Sequence, residues 1–155
     1  MRVIPPFEDI SAISASMLTS STCAEPHATE TAYNAGTTYA LGATVVSATN
    51  HRKYESLQAG NVGNPLPSLP TLDNPNPATA YWQDVGPTNR WAMFDLLRDT
   101  QTVQASPLTV VITPGERVNS LALMKLEADS VTVTVTSGGS TVYSHTEDLN
   151  TREVF

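Results

Sequence analysis

A single cysteine, Cys23, in a chain of 155 residues excludes an internal disulfide and any thiolate metal cluster. Positive charge is also scarce: 8 Lys and Arg stand against 15 Asp and Glu, a formal net charge of −7. The few cations, such as Arg52-Lys53 and Arg90, form no stripe. That argues against nucleic acid, whose phosphates call for clustered Lys and Arg. Charged residues of either sign make up only 15%, so hydroxyls and amides must carry the polar surface. No apolar run nears the ~20 residues of a membrane span, and "MRVIPPFEDI" has acids and two prolines where a signal peptide needs an apolar core. The expectation is a protein made in the cytoplasm that stays there or is built into a particle there, without membrane insertion.

Catalytic signatures are missing as well. His27, His51 and His145 have no partner at H-x-x-x-H spacing, and no G-x-S-x-G element occurs. Carboxylate pairs such as Glu8-Asp9 and Glu147-Asp148 fall in arm and turn contexts, where no glycosidase-like pair converges. In "STCAEPHA", His27 stands four residues after Cys23, but nothing local would depress the thiol pKa, so Cys23 reads as a small semi-buried residue. "ADSVT" and "EDLNT" supply oxygens without EF-hand spacing. The expectation is no enzyme, no cofactor and no metal.

What is present is β structure. Residues 1–30 read as an extended arm: Pro5-Pro6 fixes an open backbone, and Ile10, Ile13 and Met17 stand near helical spacing in a Ser-rich run. Such an arm packs on another subunit or on the domain behind it. Residues 31–90 read as a small β unit. "TTYALGATVVSA" turns at Gly42 into Val45-Val46, and "HRKYESLQAG" alternates with Tyr54 and Leu57 inward. "NPLPSLPTLDNPNPATA" carries five prolines, which makes residues 64–78 a surface loop.

Residues 91–155 read as antiparallel strands of a β-sandwich or jelly roll. Val131, Val133 and Val135 alternate with Thr132, Thr134 and Thr136, the period of a strand with one buried face. "SGGS" supplies a hairpin turn, and "TVYSH" returns as the partner strand. "LTVVI" and "VNSLALMKL" read as two further strands of the same layer. The run ends on Val154-Phe155 without a closing turn, so this layer is expected to be incomplete at its C-terminal side.

"AYNAGTTYALGATVV", "HRKYESLQAGNVGNP", "YWQDVGPTNRWAMFD" and "VNSLALMKLEADSVTVTVT" together resemble the N-terminal part of tailed-bacteriophage virion proteins, over nearly the whole chain. Within that, residues 31–86 are similar to the chitin-binding-type carbohydrate-binding modules of families 5 and 12. The matching features are Tyr33-Asn34, Tyr39, Gly42, Val45 or Val46, Tyr54 and Trp82. The module's paired surface aromatics after the Tyr strand are replaced here by Leu57 and Gln58. The resemblance implies a structural component of a virion, in the tail, baseplate or tail tip, assembled in the bacterial host cytoplasm. Its partners would be other virion proteins and copies of itself. The alternative it implies is an adhesin that stacks a host-surface glycan on Tyr33, Tyr39, Tyr54 and Trp82.

Aromatics are only 6% of the chain, yet "YWQDVGPTNRWAMFD" holds both tryptophans. Trp82 and Tyr54 lie on strands and read as core, whereas Tyr33, Tyr39 and Tyr81 read as better candidates for exposure. Trp82, Trp91, Met93 and Phe94 read as the seam between two β units, since one Trp buries ~150–250 Å². Arg90 would stack on Trp91 or pair with Asp84 or Asp95.

Overall fold

The computed structural model describes residues 13–69, 78–95, 100–115, 118 and 120–150. Pro5-Pro6, Ile10, residues 70–77 of the proline-rich loop and the Val154-Phe155 end lie outside them. The chain is all-β with antiparallel sheets, and a 3-10 turn at Ala92–Phe94 is the one helical element among the described residues. It forms two compact units, Met1–Arg117 and Val118–Phe155. The division therefore falls well past residue 90, because residues 91–115 are tied to the N-terminal segment.

That tie begins with β1 (Leu18–Ser21), which pairs antiparallel with β5 (Val110–Ile112). Thr22 extends the ladder by donating its N–H to Thr109 O at 3.0 Å and its hydroxyl to Pro107 O. Ser14 to Met17 make a turn before β1, where the spacing of Ile13 and Met17 allowed a helix. The Ser and Thr that follow favour turn and strand backbones over a helix, and β5 supplies the partner. The described part of the arm, residues 13–30, is thus held within its own unit.

The second sheet of this unit runs β2 (Thr44–Ser47), β3 (Arg52–Ser56) and β4 (Trp82–Pro87), all antiparallel. Gly42 takes a φ of +78° in the turn before β2, a conformation that suits a residue without Cβ. Val45 and Val46 point to opposite faces of β2, and both are buried. The Val46 backbone bonds to Thr31 O and Tyr33 N, so the segment before β2 lies along its edge. Inward alternation on β3 ends at Ser56, and Leu57 is exposed. A bulge after Lys53 sets Tyr54 opposite Asp84 and leaves Val85 facing out.

Trp82 is the centre of the core. It is fully buried, and the rings of Tyr39 and Tyr33 meet it edge to face at 5.3 and 5.7 Å. Val45, Tyr54, Ala43 and Leu66 pack around them. The Asn64 carbonyl accepts both the Trp82 indole N–H (3.1 Å) and the Tyr33 hydroxyl (2.8 Å). Asn61 donates to Ser56 Oγ and Tyr81 O, closing the same loop from below. Buried rings with a polar tip need such partners, so the Gly63-Asn64-Pro65 turn is part of the core's construction.

In the second unit, β6 (Ser130–Ser137) and β7 (Ser140–Asp148) form a hairpin. Gly138 and Gly139 both have positive φ, +58° and +79°, as a two-residue turn matched to strand twist requires. Val131, Val133 and Val135 lie opposite Glu147, His145 and Tyr143 and share a face with them. Thr132 and Thr134 face Thr146 and Ser144 on the other side, with hydroxyls 2.8 and 3.5 Å apart. "LTVVI" joins β1 instead of this hairpin, and among the described residues 120–127 carry no strand. Both segments have the composition of strands, but pairing partners are chosen in three dimensions.

Candidate functional site

The densest polar cluster gathers on Glu25, whose side chain is only 3% exposed. Its carboxylate accepts hydrogen bonds from His51 Nδ1 (3.0 Å), Thr88 Oγ1 (2.6 Å) and Trp91 Nε1 (3.0 Å). Arg90 Nη1 lies 4.0 Å away, and Arg90 Nε donates to Cys23 O at 2.6 Å. A buried carboxylate is tolerable only when donors and a cation surround it. Here four residues supply them.

Local structure places each donor. Thr88 follows β4 and opens the turn in which Trp91 N–H and Ala92 N–H both bond to Thr88 O. Trp91 therefore lies one turn on from Thr88, with its indole N–H on the same carboxylate. His51 sits in the β2–β3 connection at φ +57°, a region that non-glycine residues seldom visit. Thr88 N–H bonds to His51 O at 3.0 Å, which holds that backbone in place. The imidazole stacks on the Trp91 indole with centroids 4.3 Å apart.

Glu30 makes a second anchor, accepting from His27 N–H and Asn89 N–H. The Asn89 side-chain amide reaches Cys23 Sγ at 3.2 Å and Val103 O at 2.8 Å. Burial pushes the Cys23 thiol above its usual range, against the pull of the Asn89 hydrogen bond and the Arg90 charge. His27 bonds to Thr29 and not to Cys23. A third anchor is Asp84, whose side chain is 0% exposed. It takes Arg52 Nε and Nη2 in a bidentate pair, the shortest contact 2.6 Å, and also accepts Gly86 N–H. Burial raises the Tyr54 phenol beside it, opposed by the Asn50 hydrogen bond.

The residues named from the sequence fall into separate places. Tyr54 and Trp82 are fully buried and Tyr39 nearly so at 8% exposure; as placed, they offer no open ring face to a sugar. Tyr33 is half-buried against them, and Tyr81 is exposed. Trp91 and Phe94 meet edge to face at 5.6 Å, and Met93 N–H is bound by Thr102 Oγ1. Trp91 thus joins residues 23–30 to the β2–β4 sheet within one unit, while Trp82 belongs to the other aromatic cluster. Arg90 pairs with Glu25, and Asp84 pairs with Arg52, which corrects the pairings expected for Arg90. Sequence reasoning missed Glu25, His51, Thr88 and Asn89. Of these, only "TNHRK" carried a signal, since Asn and His are enriched at left-handed backbone positions.

Clefts open on this unit among the described residues. One, about 160 Å³, lies over the Glu25 cluster between Trp91, Phe94 and His51. Another, about 310 Å³, lies beside Glu30, Lys53 and three threonines, Thr29, Thr31 and Thr44. Among the described residues no group of three His, Cys, Asp or Glu is arranged to hold a metal ion, and no helix is long and apolar enough to cross a membrane. Compared with known proteins, the chain matches no family model, no curated protein and no solved structure.

Proposed function

We propose that this chain is a structural component of a bacteriophage virion, in the tail, baseplate or tail tip, assembled in the host cytoplasm through contacts with other virion proteins and copies of itself. The observation that carries this reading is the hairpin β6–β7. It presents Val131, Val133, Val135 and Tyr143 on one face, beside the polar pair His145 and Glu147, yet no described residue of 118–150 is buried. A two-stranded hairpin is marginal by itself and gains stability when its apolar face is covered. Val142 and Tyr143, at 63% and 52% exposure, extend the uncovered surface. A neighbouring subunit supplies the cover in this reading, and the low charge of the chain suits such packing. The host-glycan reading draws less support, because three of its four rings lie inside the core.

The experiment is hydrogen exchange on the free chain and on purified particles from infected cells. Strong added protection of residues 131–135 and 141–146 in the particle supports the reading. Absence of the chain from particles, or saturable binding of host polysaccharide abolished by Tyr33→Ala, defeats it.

A further inference from the structure

The cleft over the Glu25 cluster has an unusual inventory of unused acceptors. Asp95, the residue after the 3-10 turn, lines it, and among the described residues its carboxylate makes no hydrogen bond or ion pair. His51 commits Nδ1 to Glu25. In the neutral ring that donates from Nδ1, Nε2 is left as a lone-pair acceptor. Nε2 has no partner among the described residues, and no buried side-chain nitrogen or oxygen lacks one, so Nε2 is open to solvent. Asn50 donates its amide to Tyr54 Oη, which leaves its carbonyl oxygen as a third acceptor.

The cation and the indole donor of the lining are already engaged. Arg52, the cation in the lining, is neutralised by Asp84 through a bidentate pair. The Trp91 indole N–H is held by Glu25. The rest of the wall is apolar, formed by Ile13, Pro87 and the rings of Trp91 and Phe94, which meet edge to face. The site therefore offers π surface, one uncompensated negative charge and neutral acceptors, on a chain of net charge −7. An anion is repelled there, and a neutral polyol leaves the Asp95 charge unanswered. A flat cation with several N–H groups satisfies both the rings and the acceptors.

We infer that this cleft is a socket for an arginine side chain presented by a partner protein. The volume of about 160 Å³ suits one side chain and not a peptide segment. Guanidinium is favoured over ammonium because its planar fork of five N–H donors stacks on rings and reaches several acceptors at once. The chain prepares the socket before the arginine arrives: Glu25, Thr88 and the strained backbone of His51 fix the imidazole, and the imidazole fixes the indole. The inference shares with the assembly reading only the premise that a neighbouring protein supplies the arginine.

The test is an NMR titration of the full chain with the blocked tripeptide Gly-Arg-Gly, alongside its lysine and citrulline counterparts. The arginine peptide is expected to shift the Trp91 indole N–H and His51 ring signals saturably, with a Kd of about 1–10 mM for a lone side chain. High salt weakens that binding, and citrulline, isosteric but uncharged, leaves the signals in place. Asp95→Asn weakens binding about tenfold, or ~1.4 kcal/mol, and Asp95→Glu recovers part of it, while the Trp82 indole signal stays fixed in both. Unmoved Trp91 signals, equal responses to arginine and citrulline, or equal responses to arginine and lysine each overturn the proposal. Should Asp95→Asn not fold, the three-peptide comparison on the native chain still decides. Failure here leaves the hairpin's protection in particles unaffected, so the two readings fall separately.

Discussion

The imidazole of His51 and the indole of Trp91 lie 4.3 Å apart with planes 30° from parallel, and each donates a hydrogen bond to the same carboxylate, Glu25. Two rings forty residues apart in the chain are thus set by one buried charge. Removing that charge loosens the joint between the N-terminal segment, the β2–β3 connection and the turn after β4, which then depends on the bonds from Thr88 N–H to His51 O, Arg90 to Cys23 O and Asn89 N–H to Glu30.

Glu25→Ala therefore leaves buried Thr88 Oγ1 and the Trp91 indole N–H without an acceptor. The cost of breaking such a cluster from one side is ~3–5 kcal/mol, a fall in Tm of about 10 °C or more for a unit of this size. Tryptophan fluorescence follows this directly, since both tryptophans belong to the first unit. Glu25→Gln loses less, because one amide oxygen still accepts. A drop of only a degree or two in Glu25→Ala means the cluster is solvated.

Trp82→Ala empties the middle of the aromatic core and leaves Asn64 O with the Tyr33 hydroxyl alone. The expected loss is ~3–5 kcal/mol, with the near-ultraviolet circular dichroism of the first unit collapsing. Trp82→Phe retains most of the packing and costs less. Equal losses in both variants would show that the indole N–H bond matters more than ring volume.

Stability falls at alkaline pH. The folded chain holds the Cys23 thiol and the Tyr54 phenol above their ordinary values of 9.0 and 10.0, chiefly through burial. Between the unfolded and folded values the unfolded chain has already lost protons that the folded chain keeps. The contribution is complete below the unfolded value and is lost as pH rises through the folded one. Tm thus declines above about pH 9, the ordinary thiol value. Cys23→Ala delays the onset until Tyr54 begins to titrate. A thiol that reacts with a disulfide reagent as fast in the folded chain as in urea contradicts the burial of Cys23.

Gly139→Val places a β-branched residue at φ +79° in the β6–β7 turn, at a cost of ~1–2 kcal/mol. In a hairpin this marginal, that is enough to dissolve the pairing of Thr132 with Thr146. Loss of cross-strand nuclear Overhauser contacts reports it, while the Trp82 and Trp91 signals of the first unit do not change. Retained contacts mean that the hairpin is stabilised by more than its own ladder.

The sequence by itself determined what depends on neighbours along the chain. Alternating Val and Thr around two glycines prescribes the β6–β7 hairpin, Gly42 prescribes the turn into β2, and Trp82 and Tyr54 on strand-like runs read as core. Each follows from backbone geometry over a few residues. Only the tertiary structure decided which strands pair and which charges meet. β1 and β5 have nothing in their own residues that names the other, and a bond such as that between Thr19 and Thr113 spans 94 residues. Glu25 looked like any surface acid in "CAEPHA" because its partners stand at 51, 88, 90 and 91. A buried charge becomes recognisable when the fold has removed water and brought its donors together, and no local pattern records that.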